Sequence, residues 1–343
     1  MTSISYNISL KKYNTFGIDV PAKCLIEYDS IDDLHQILSN KENYPSPFLP
    51  IGEGSNLLFS KPYEGTILHS RILGIQEIER NKQTVTLRVG AGVLWDDFVA
   101  YCVDHEYYGA ENLSHIPGEV GASAVQNIGA YGAEVSQLIR KVQTYSLDTN
   151  DLKSWTNEAC QYAYRKSIFK IPEIKGHYIV TYVDYQLSLI RDIRLDYGAI
   201  RSQLISMGCE NSEEANISSI REAIISIRQK KLPDPKEIGN AGSFFVNPIV
   251  SEEQYHRLLS KFPSIPSYRI DARNVKIPAG WMIEQIGWKG KSIGHVGVYK
   301  DQALVLVNLG GASAQEIIDL CQLLIDKVEE KFGITIYPEV NII

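Results

Sequence analysis

The chain has 343 residues, a length that allows two or three domains, each with its own core. Hydrophobic residues make up 44% and charged residues 22% of the chain, a balance that excludes wholesale disorder. The formal net charge of -7 argues against a nucleic acid as the main partner, although a local basic pocket could still bind an anionic small molecule.

The cysteines and histidines favour neither a disulfide framework nor a metal site. The five cysteines are scattered without a Cys-x-x-Cys pair, and the seven histidines show neither His-x-His nor His-Glu-x-x-His spacing. Residues 1–12 lack the apolar core of a signal peptide, and no stretch reaches the roughly 20 apolar residues that a membrane helix needs. We therefore expect a cytoplasmic protein with no metal and no membrane partner.

Hydrophobic periodicity and capping residues predict helices and strands mixed along the whole chain. The predicted strands cover residues 22–28, 84–89, 140–147, 178–189, 303–308 and 334–336. The predicted helices cover residues 32–39, 94–105, 215–231, 252–261 and 313–332, and Ser30 is the expected N-cap of the first. This mixture predicts an α+β protein.

A glycine-rich turn at residues 52–56 is either a bare tight turn or a cradle for a phosphate. Its two glycines let backbone N–H groups approach an anion, and a serine and an asparagine add short polar contacts. A Walker A loop would end in Gly-Lys-Ser/Thr, and a Rossmann fingerprint would need glycine at position 57, which is Leu57. Any dinucleotide is therefore bound by another fold.

The small-residue stretch, residues 116–132, is rich in glycine and alanine. So little side-chain volume is typical of backbone that lies against a flat or extended ligand. A tight helix contact is the alternative.

Several polar residues could carry chemistry. Ser243 lies between a glycine turn and two phenylalanines. It is either a proton donor screened from water or a plain turn residue. Arg165 could pair with a ligand carboxylate or lie on the surface. The cluster of Arg228 with Lys231 could bind a diphosphate or be solvated. Glu339 lies near the chain end, which is usually frayed, but its apolar neighbours favour a packed tail and a buried glutamate, and a buried carboxylate needs a reason.

Taken in order, these segments resemble the UDP-N-acetylenolpyruvoylglucosamine reductase family, a group of flavoproteins of peptidoglycan precursor synthesis. The matching stretches run over nearly the whole chain, at residues 14–17, 51–58, 116–132, 164–165, 231–235, 239–248, 279–285 and 338–340. The resemblance implies an FAD-binding fold of the vanillyl-alcohol-oxidase (PCMH) type with a separate α+β substrate-binding domain. It further implies FAD-binding subdomains at residues 1–72 plus 333–343 and at 73–214, and a substrate domain at 215–332.

The resemblance also implies the ligands and the residues that hold them. FAD is the expected cofactor, NADPH the hydride donor and a UDP-sugar enolpyruvyl ether the acceptor, in a protein expected to be a monomer. The residues expected to bind FAD are Gly52, Gly54, Ser55, Asn56, Leu57, Pro117, Gly118, Gly121, Ala122, Gln126, Asn127, Gly129, Ala130, Tyr131 and Gly132. Those expected to bind the substrate are Tyr197, Arg228, Lys231, Asn247 and Gln285.

The catalytic residues implied by the resemblance are Arg165, Ser243 and Glu339. Hydride passes to the flavin and then to the methylene carbon of the enolpyruvyl group. Charge then builds on the neighbouring carbon and its carboxylate, where Arg165 and a protonated Glu339 would stabilise it and Ser243 would donate a proton. Residues 195–200 match the family form in which a tyrosine, here Tyr197, covers the substrate.

Two alternatives remain at this stage. An oxidase of the same fold would pass electrons to oxygen; such enzymes often tether the flavin through His or Cys, and only His115 lies next to the small-residue stretch. A non-catalytic flavin- or nucleotide-binding regulator would be expected to lack one of the three catalytic residues, and all three are present.

Overall fold

The structure is a computed structural model that describes residues 2–197, 199–209 and 215–343. It divides into two compact units: unit 1 comprises Met1–Ile8, Pro21–Glu53 and Tyr63–Gln229, and unit 2 comprises Ser9–Val20, Gly54–Pro62 and Lys230–Ile343. The three-part domain division expected from the sequence stays a prediction. Its border at residue 214 lies outside the described residues, as does Gly198 of the predicted tyrosine loop.

The regular elements are numbered in chain order. The helices are α1 Ile31–Ser39, α2 Trp95–Asp104, α3 Val120–Gln126, α4 Ile200–Ser206, α5 Ile217–Lys231, α6 Glu252–Lys261, α7 Ala279–Gln285 and α8 Ala314–Phe332. The strands are β1 Ser3–Ser9, β2 Pro21–Tyr28, β3 Phe48–Ile51, β4 Leu57–Leu58, β5 Tyr63–Ser70, β6 Ile75–Arg80, β7 Thr84–Gly90, β8 Gly129–Ala130, β9 Ala133–Glu134, β10 Ile139–Ser146, β11 Leu152–Thr156, β12 Tyr178–Ser188, β13 Gly239–Ser243, β14 Ile249–Ser251, β15 Tyr268–Arg269, β16 Asn274–Lys276, β17 Ser292–Ile293, β18 Val296–Val298, β19 Val305–Asn308 and β20 Asn341–Ile342.

Among the described residues, unit 1 contains a four-stranded sheet, a five-stranded sheet and the antiparallel pair of β8 with β9. In the first, of strand order β1-β2-β5-β3, strand β5 pairs in parallel with both β2 and β3. Helix α1 begins where the Ser30 hydroxyl accepts a hydrogen bond from the Asp33 N–H at 3.0 Å, as the sequence predicts. Its apolar face, with Leu34 and Leu38, is buried in one core with Ile26 of β2.

The second sheet of unit 1 has strand order β11-β10-β12-β7-β6, and its neighbouring strands are antiparallel. Its core is aromatic. Phe98 of α2 stacks on Tyr185 of β12 with ring centroids 4.8 Å apart, and Trp95 meets both rings edge-on. The predicted strand at residues 84–89 forms most of β7 beside β12, and it is buried at Val85, Leu87 and Val89 and also at Thr86 on the other face.

Unit 2 holds the sheets β13-β19-β18-β17 and β14-β16-β15 and the parallel pair of β4 with β20. The long helix α8 buries Ile317, Leu320, Leu324 and Val328 in the core of this unit, a spacing that keeps one helix face apolar. Its N-terminus is closed by a capping box between Ser313 and Glu316.

One predicted element is wrong. Residues 334–336 do not form a strand. Ile334 and Ile336 are buried in the unit 2 core. The alternation of apolar residues here is therefore due to side-chain burial and not to strand pairing. Pairing begins only beyond them, where Pro338 bridges Phe245 and β20 joins β4.

Replacing the N-cap of α8 tests how much this cap contributes to the stability of the protein. In Ser313→Ala the hydroxyl that accepts from the Glu316 N–H is lost. We expect the free energy of unfolding to fall by about 1 kcal/mol, measured by urea denaturation. Ser202→Ala, an exposed serine within α4, is the matched control. A loss no larger than that of the control would contradict the capping role.

Candidate active site

Arg165 lies at the tip of a two-residue turn in unit 1. Ala163 and Lys166 pair through two backbone hydrogen bonds, of 3.2 and 2.8 Å, and Arg165 between them has a left-handed φ of 56°. Its guanidinium donates to the carbonyl oxygens of Asn127 at 3.3 Å and Gly129 at 2.8 Å. The predicted catalytic arginine is thus fixed against the backbone of the small-residue stretch.

Asn127 organises the end of that stretch. It is fully buried, ends helix α3 in the left-handed conformation with φ 46°, and uses its whole side-chain amide within the protein. The Nδ2 group donates to Glu134 Oε2 and to the Ala163 carbonyl, both at 2.9 Å, and Oδ1 accepts from the Ser136 N–H at 3.1 Å. Asn127 therefore supports the Arg165 turn; its predicted contact with FAD stays a prediction.

A second arginine, Arg228 of α5, lies in the same region of unit 1. Its Nε donates to the carbonyl oxygen of His115 at 3.0 Å. Burial lowers the pKa of Arg228, and the charge of Arg165 lowers it further. The interactions of Arg228 with Tyr131 and Asp96 oppose this shift. Two guanidinium groups are thus near enough to repel each other, which is an arrangement that an anionic ligand would relieve.

Tyr131 and Tyr197 extend this group. Burial raises the pKa of Tyr131, while the charge of Arg228 lowers it. A Cβ on Gly132 would lie 3.2 Å from the Cβ of Tyr197, so the predicted tyrosine of the substrate loop lies next to the small-residue stretch. The structure thus brings Arg165, Arg228, Tyr131 and Tyr197 together in unit 1.

In unit 2, Ser243 ends strand β13 just after a bulge. Two residues, Ala241 and Gly242, stand opposite one residue of β19, and Gly242 has a φ of 66°. The buried Asn240 holds this bulge, since its Oδ1 accepts from the Gly242 N–H at 2.9 Å. The Ser243 side chain is exposed.

Glu339 lies beside the segment that follows Ser243. Its N–H donates to the Phe244 carbonyl oxygen at 2.7 Å, and Val246 N–H donates to the Tyr337 carbonyl oxygen at 3.0 Å. Asn56 Nδ2 donates to the Glu339 carbonyl oxygen at 3.2 Å. The fold of unit 2 therefore places the backbones of Ser243, Glu339 and Asn56, far apart in sequence, in one neighbourhood. Glu339 is half-buried.

The remaining predicted residues occupy varied surroundings. Asn247 Oδ1 accepts from the Ala279 N–H at 2.9 Å and so caps α7, whereas Gln285 at the end of α7 and Lys231 at the end of α5 are exposed. Gly54 cannot carry a side chain, because its φ is 72° and a Cβ would lie 2.0 Å from the Tyr13 carbonyl oxygen. Leu57 belongs to β4, and Ser55 is half-buried.

The small-residue stretch fits an FAD. Ala122, Gly129 and Ala130 are half-buried and Gly132 is exposed, so short side chains leave backbone open to a flat ring system. Gly121 is different, since it is buried and a Cβ there would meet the Ala91 Cβ at 3.0 Å. The stretch therefore combines a tight helix contact with an accessible small-residue surface. Pro117 is exposed, Gly118 buried and Gln126 half-buried.

Comparison with known proteins decides the family. The model of the UDP-N-acetylenolpyruvoylglucosamine reductase C-terminal domain matches residues 234–343, and an FAD binding domain model matches residues 22–146. A UDP-N-acetylenolpyruvoylglucosamine reductase from Bacteroides fragilis is 53% identical over 98% of both chains, and one from Porphyromonas gingivalis is 48% identical over 99% of both. The chain belongs to the UDP-N-acetylenolpyruvoylglucosamine reductase family.

The fold agrees with this membership. The crystal structure of a UDP-N-acetylenolpyruvylglucosamine reductase from Thermus caldophilus covers 100% of this chain and 98% of its own, with a TM-score of 0.67 at 21% identity. The fold is thus that of the reductase family, with helices and strands mixed as α+β, and this reductase-family chain is an FAD-dependent oxidoreductase. Among its described residues, none of the helices has the length and apolarity to span a bilayer, and no cluster of three metal-ligating side chains occurs.

The sequence analysis missed the residues that support the site. Asn240 had a detectable signal, because an asparagine two positions before a glycine is typical of a side chain that turns back to the backbone. The bond between Asp96 and Arg221, at 2.7 and 2.9 Å, fixes α2 to α5 near His115, but its partners are 125 residues apart in sequence. No local pattern predicts such a pair.

Asn127 allows a test that separates hydrogen bonding from backbone strain. Asn127→Ala removes the buried amide and leaves a left-handed alanine, so we expect a loss of about 2–4 kcal/mol in the free energy of unfolding. Asn127→Gly loses the same hydrogen bonds but tolerates φ 46°, so it should be more stable than the alanine variant by about 1 kcal/mol.

The same pair of substitutions at the exposed Asn7, which has φ 52°, is the control for the conformational contribution alone. Urea denaturation measures all four variants. Equal stability of the alanine and glycine variants at position 127 would contradict the role of φ, and a loss at 127 no larger than at Asn7 would contradict the role of the amide.

Proposed function

We propose that this reductase-family chain catalyses the NADPH-dependent reduction of the enolpyruvyl ether of UDP-N-acetylglucosamine to UDP-N-acetylmuramate, a step in peptidoglycan precursor synthesis. The observation that carries the proposal is similarity to curated reductases over 98% or more of the chain. Arg165, Arg228 and Ser243 are side chains of the types that this chemistry needs: two cations for anionic groups and a hydroxyl for proton donation.

FAD, when bound, supplies hydride transfer from NADPH to the methylene carbon of the enolpyruvyl group. We assign its binding to the glycine-rich turn and the small-residue stretch, as predicted from the sequence. Arg165 binds the substrate carboxylate, because a guanidinium held at two carbonyl oxygens presents its charge in a fixed direction. This charge stabilises the electron density that develops on the carboxylate after hydride addition.

Ser243 donates the proton that completes the reduction. The hydride forms a C–H bond at the methylene carbon, the electron pair of the double bond moves to the neighbouring carbon, and a proton from the Ser243 hydroxyl forms the second C–H bond there. A serine is a weak acid, so the acceptor must be strongly basic or the hydroxyl must be reprotonated at once through a relay. Glu339, in its protonated form, hydrogen-bonds to the carboxylate during this step.

The substrate diphosphate is assigned to Arg228 and Lys231, and Tyr197 covers the uridine diphosphate. Asn247 and Gln285 complete the substrate contacts. Arg228 suits a diphosphate because its positive charge is partly desolvated and the positive charge of Arg165 acts on it. Two such charges together attract a doubly charged anion. Since NADPH and nucleotide sugars are highly charged and do not cross membranes, we infer a cytoplasmic enzyme, and we expect it to act as a monomer.

The visible spectrum of the purified protein tests the proposed function. Anaerobic NADPH should bleach the flavin absorbance, and the enolpyruvyl nucleotide sugar should restore it in one turnover. Colour that returns only with oxygen would identify an oxidase, and a protein that takes up FAD but is neither reduced nor reoxidised would indicate a binding protein. Protein that takes up no FAD would overturn the assignment altogether.

Substituting Ser243 tests the proton donor. In Ser243→Ala, flavin reduction by NADPH should keep its rate, while reoxidation by the enolpyruvyl substrate should slow by about 10²–10⁴-fold. Stopped-flow absorbance measures the two half-reactions separately. Ser292→Ala, an exposed serine of β17 in the same sheet, is the control. Equal rates of reoxidation in both variants would exclude Ser243 as the donor.

A further inference from the structure

Two glutamates occupy the segments assigned to FAD, although neither is assigned a contact with it. Glu53 follows Gly52 in the glycine-rich turn, and Glu119 follows Gly118 in the small-residue stretch. Carboxylates beside the expected site of a diphosphate repel it and therefore need a reason. All four residues belong to unit 1.

The two segments hold each other reciprocally. The Gly118 N–H donates to Glu53 Oε2 at 2.9 Å. In the opposite direction, Glu119 reaches Gly52, since a Cβ on Gly52 would lie 3.0 Å from Glu119 Oε2. Each segment thus contributes a glycine that is approached closely and a glutamate that makes the approach.

The Glu119 carboxylate is itself held by a histidine of the neighbouring sheet. His69 of β5 bonds through Nε2 to Glu119 Oε1 at 2.8 Å and through Nδ1 to Glu27 Oε1 of β2 at 3.2 Å. The Glu119 and His69 side chains are only 7% and 15% exposed. Because both ring nitrogens face carboxylate oxygens, the imidazole is a suitable cationic bridge between them.

The charges of this group support that arrangement. Burial opposes a positive charge on His69, but Glu119 and Glu27 more than offset it and raise the pKa of the imidazole. Burial raises the pKa of Glu119, His69 lowers it, and the charges of Glu53 and Glu27 raise it. His69 therefore favours the ionised form of Glu119, against the effects of burial and of the two neighbouring carboxylates.

We propose that Glu53, Glu119 and His69 form a clasp, defined by these three residues, that sets the spacing of Gly52 and Gly118 for FAD binding. They are positioning residues, because they act through the glycine backbone. The inference rests on the proposed assignment of residues 52–57 and 117–132 to FAD. Without the clasp the two segments would have to be ordered when the cofactor binds, which would weaken its affinity.

The test measures the dissociation constant of FAD by flavin fluorescence on the full chain after removal and readdition of the cofactor. Glu53→Ala should raise this constant by about tenfold, since a charge-assisted hydrogen bond is lost. Glu53→Gln keeps an oxygen that can accept from Gly118, so it should stay within about threefold of the unchanged protein. His69→Gln should weaken FAD binding in the same direction as Glu53→Ala.

Two further measurements separate positioning from plain stability. At saturating FAD, the kcat of Glu53→Ala should equal that of the unchanged protein, and the melting temperature of the FAD-free protein should hardly move. Glu64→Ala, an exposed glutamate paired with Lys23 on the strand that carries His69, is the matched control. A clear fall in the melting temperature of FAD-free Glu53→Ala, relative to Glu64→Ala, would show that the clasp only stabilises the fold. That result would overturn the proposal.

Failure of the clasp is distinguishable from failure of the FAD assignment. Ala122→Phe places a large ring on the small-residue surface and should abolish FAD binding if the assignment holds. FAD binding lost in Ala122→Phe but unchanged or tighter in Glu53→Ala would overturn the clasp alone. FAD binding retained in Ala122→Phe would overturn the assignment, and the clasp with it.

Discussion

The site in unit 1 depends on backbone held in the left-handed conformation at residues that are not glycine. His115, Asn127, Tyr131 and Arg165 all have φ between 46° and 61°. Such a conformation costs about 1–2 kcal/mol for each L-residue, so it persists only where the surroundings fix it. Here buried hydrogen bonds do so, chiefly those of the Asn127 amide. Three of the four positions, Asn127, Tyr131 and Arg165, are residues assigned to substrate or cofactor.

In unit 2 the left-handed position is occupied by a glycine, which adopts this conformation without strain. At the bulge before Ser243 the left-handed residue is Gly242, and the buried Asn240 side chain accepts its N–H. The bulge interrupts the pairing of β13 with β19, so Ser243 ends the strand on an exposed surface while Phe244 and Phe245 are buried. The chain end then pairs with this segment through Glu339 and Phe244. A local irregularity and a long-range pairing together define the surroundings of the serine.

The sequence was sufficient for the elements whose signals are local. Helix α6 has the predicted bounds, α1 begins directly after its predicted N-cap Ser30, and α8 covers all but the first of the predicted residues 313–332. Periodicity and capping depend on neighbours only a few positions away. The strand predicted at residues 334–336 failed since burial of Ile334 and Ile336 gives the same alternation as a ladder. The contacts of Asn127 with Ala163, and of His69 with Glu119, depend on tertiary folding, so no local pattern predicts them.

The candidate residues themselves came from resemblance to a family, and the structure adds a physical reason for two of them. Arg165 and Arg228 lie in one region of a chain of net charge -7, and the positive charge of Arg165 lowers the pKa of Arg228. Asp96 tempers this repulsion for Arg228, but it is itself bonded to Arg221. Arg228 therefore lies among charges of both signs. Such a positive charge is costly to bury in the free protein, and a bound anion would offset that cost.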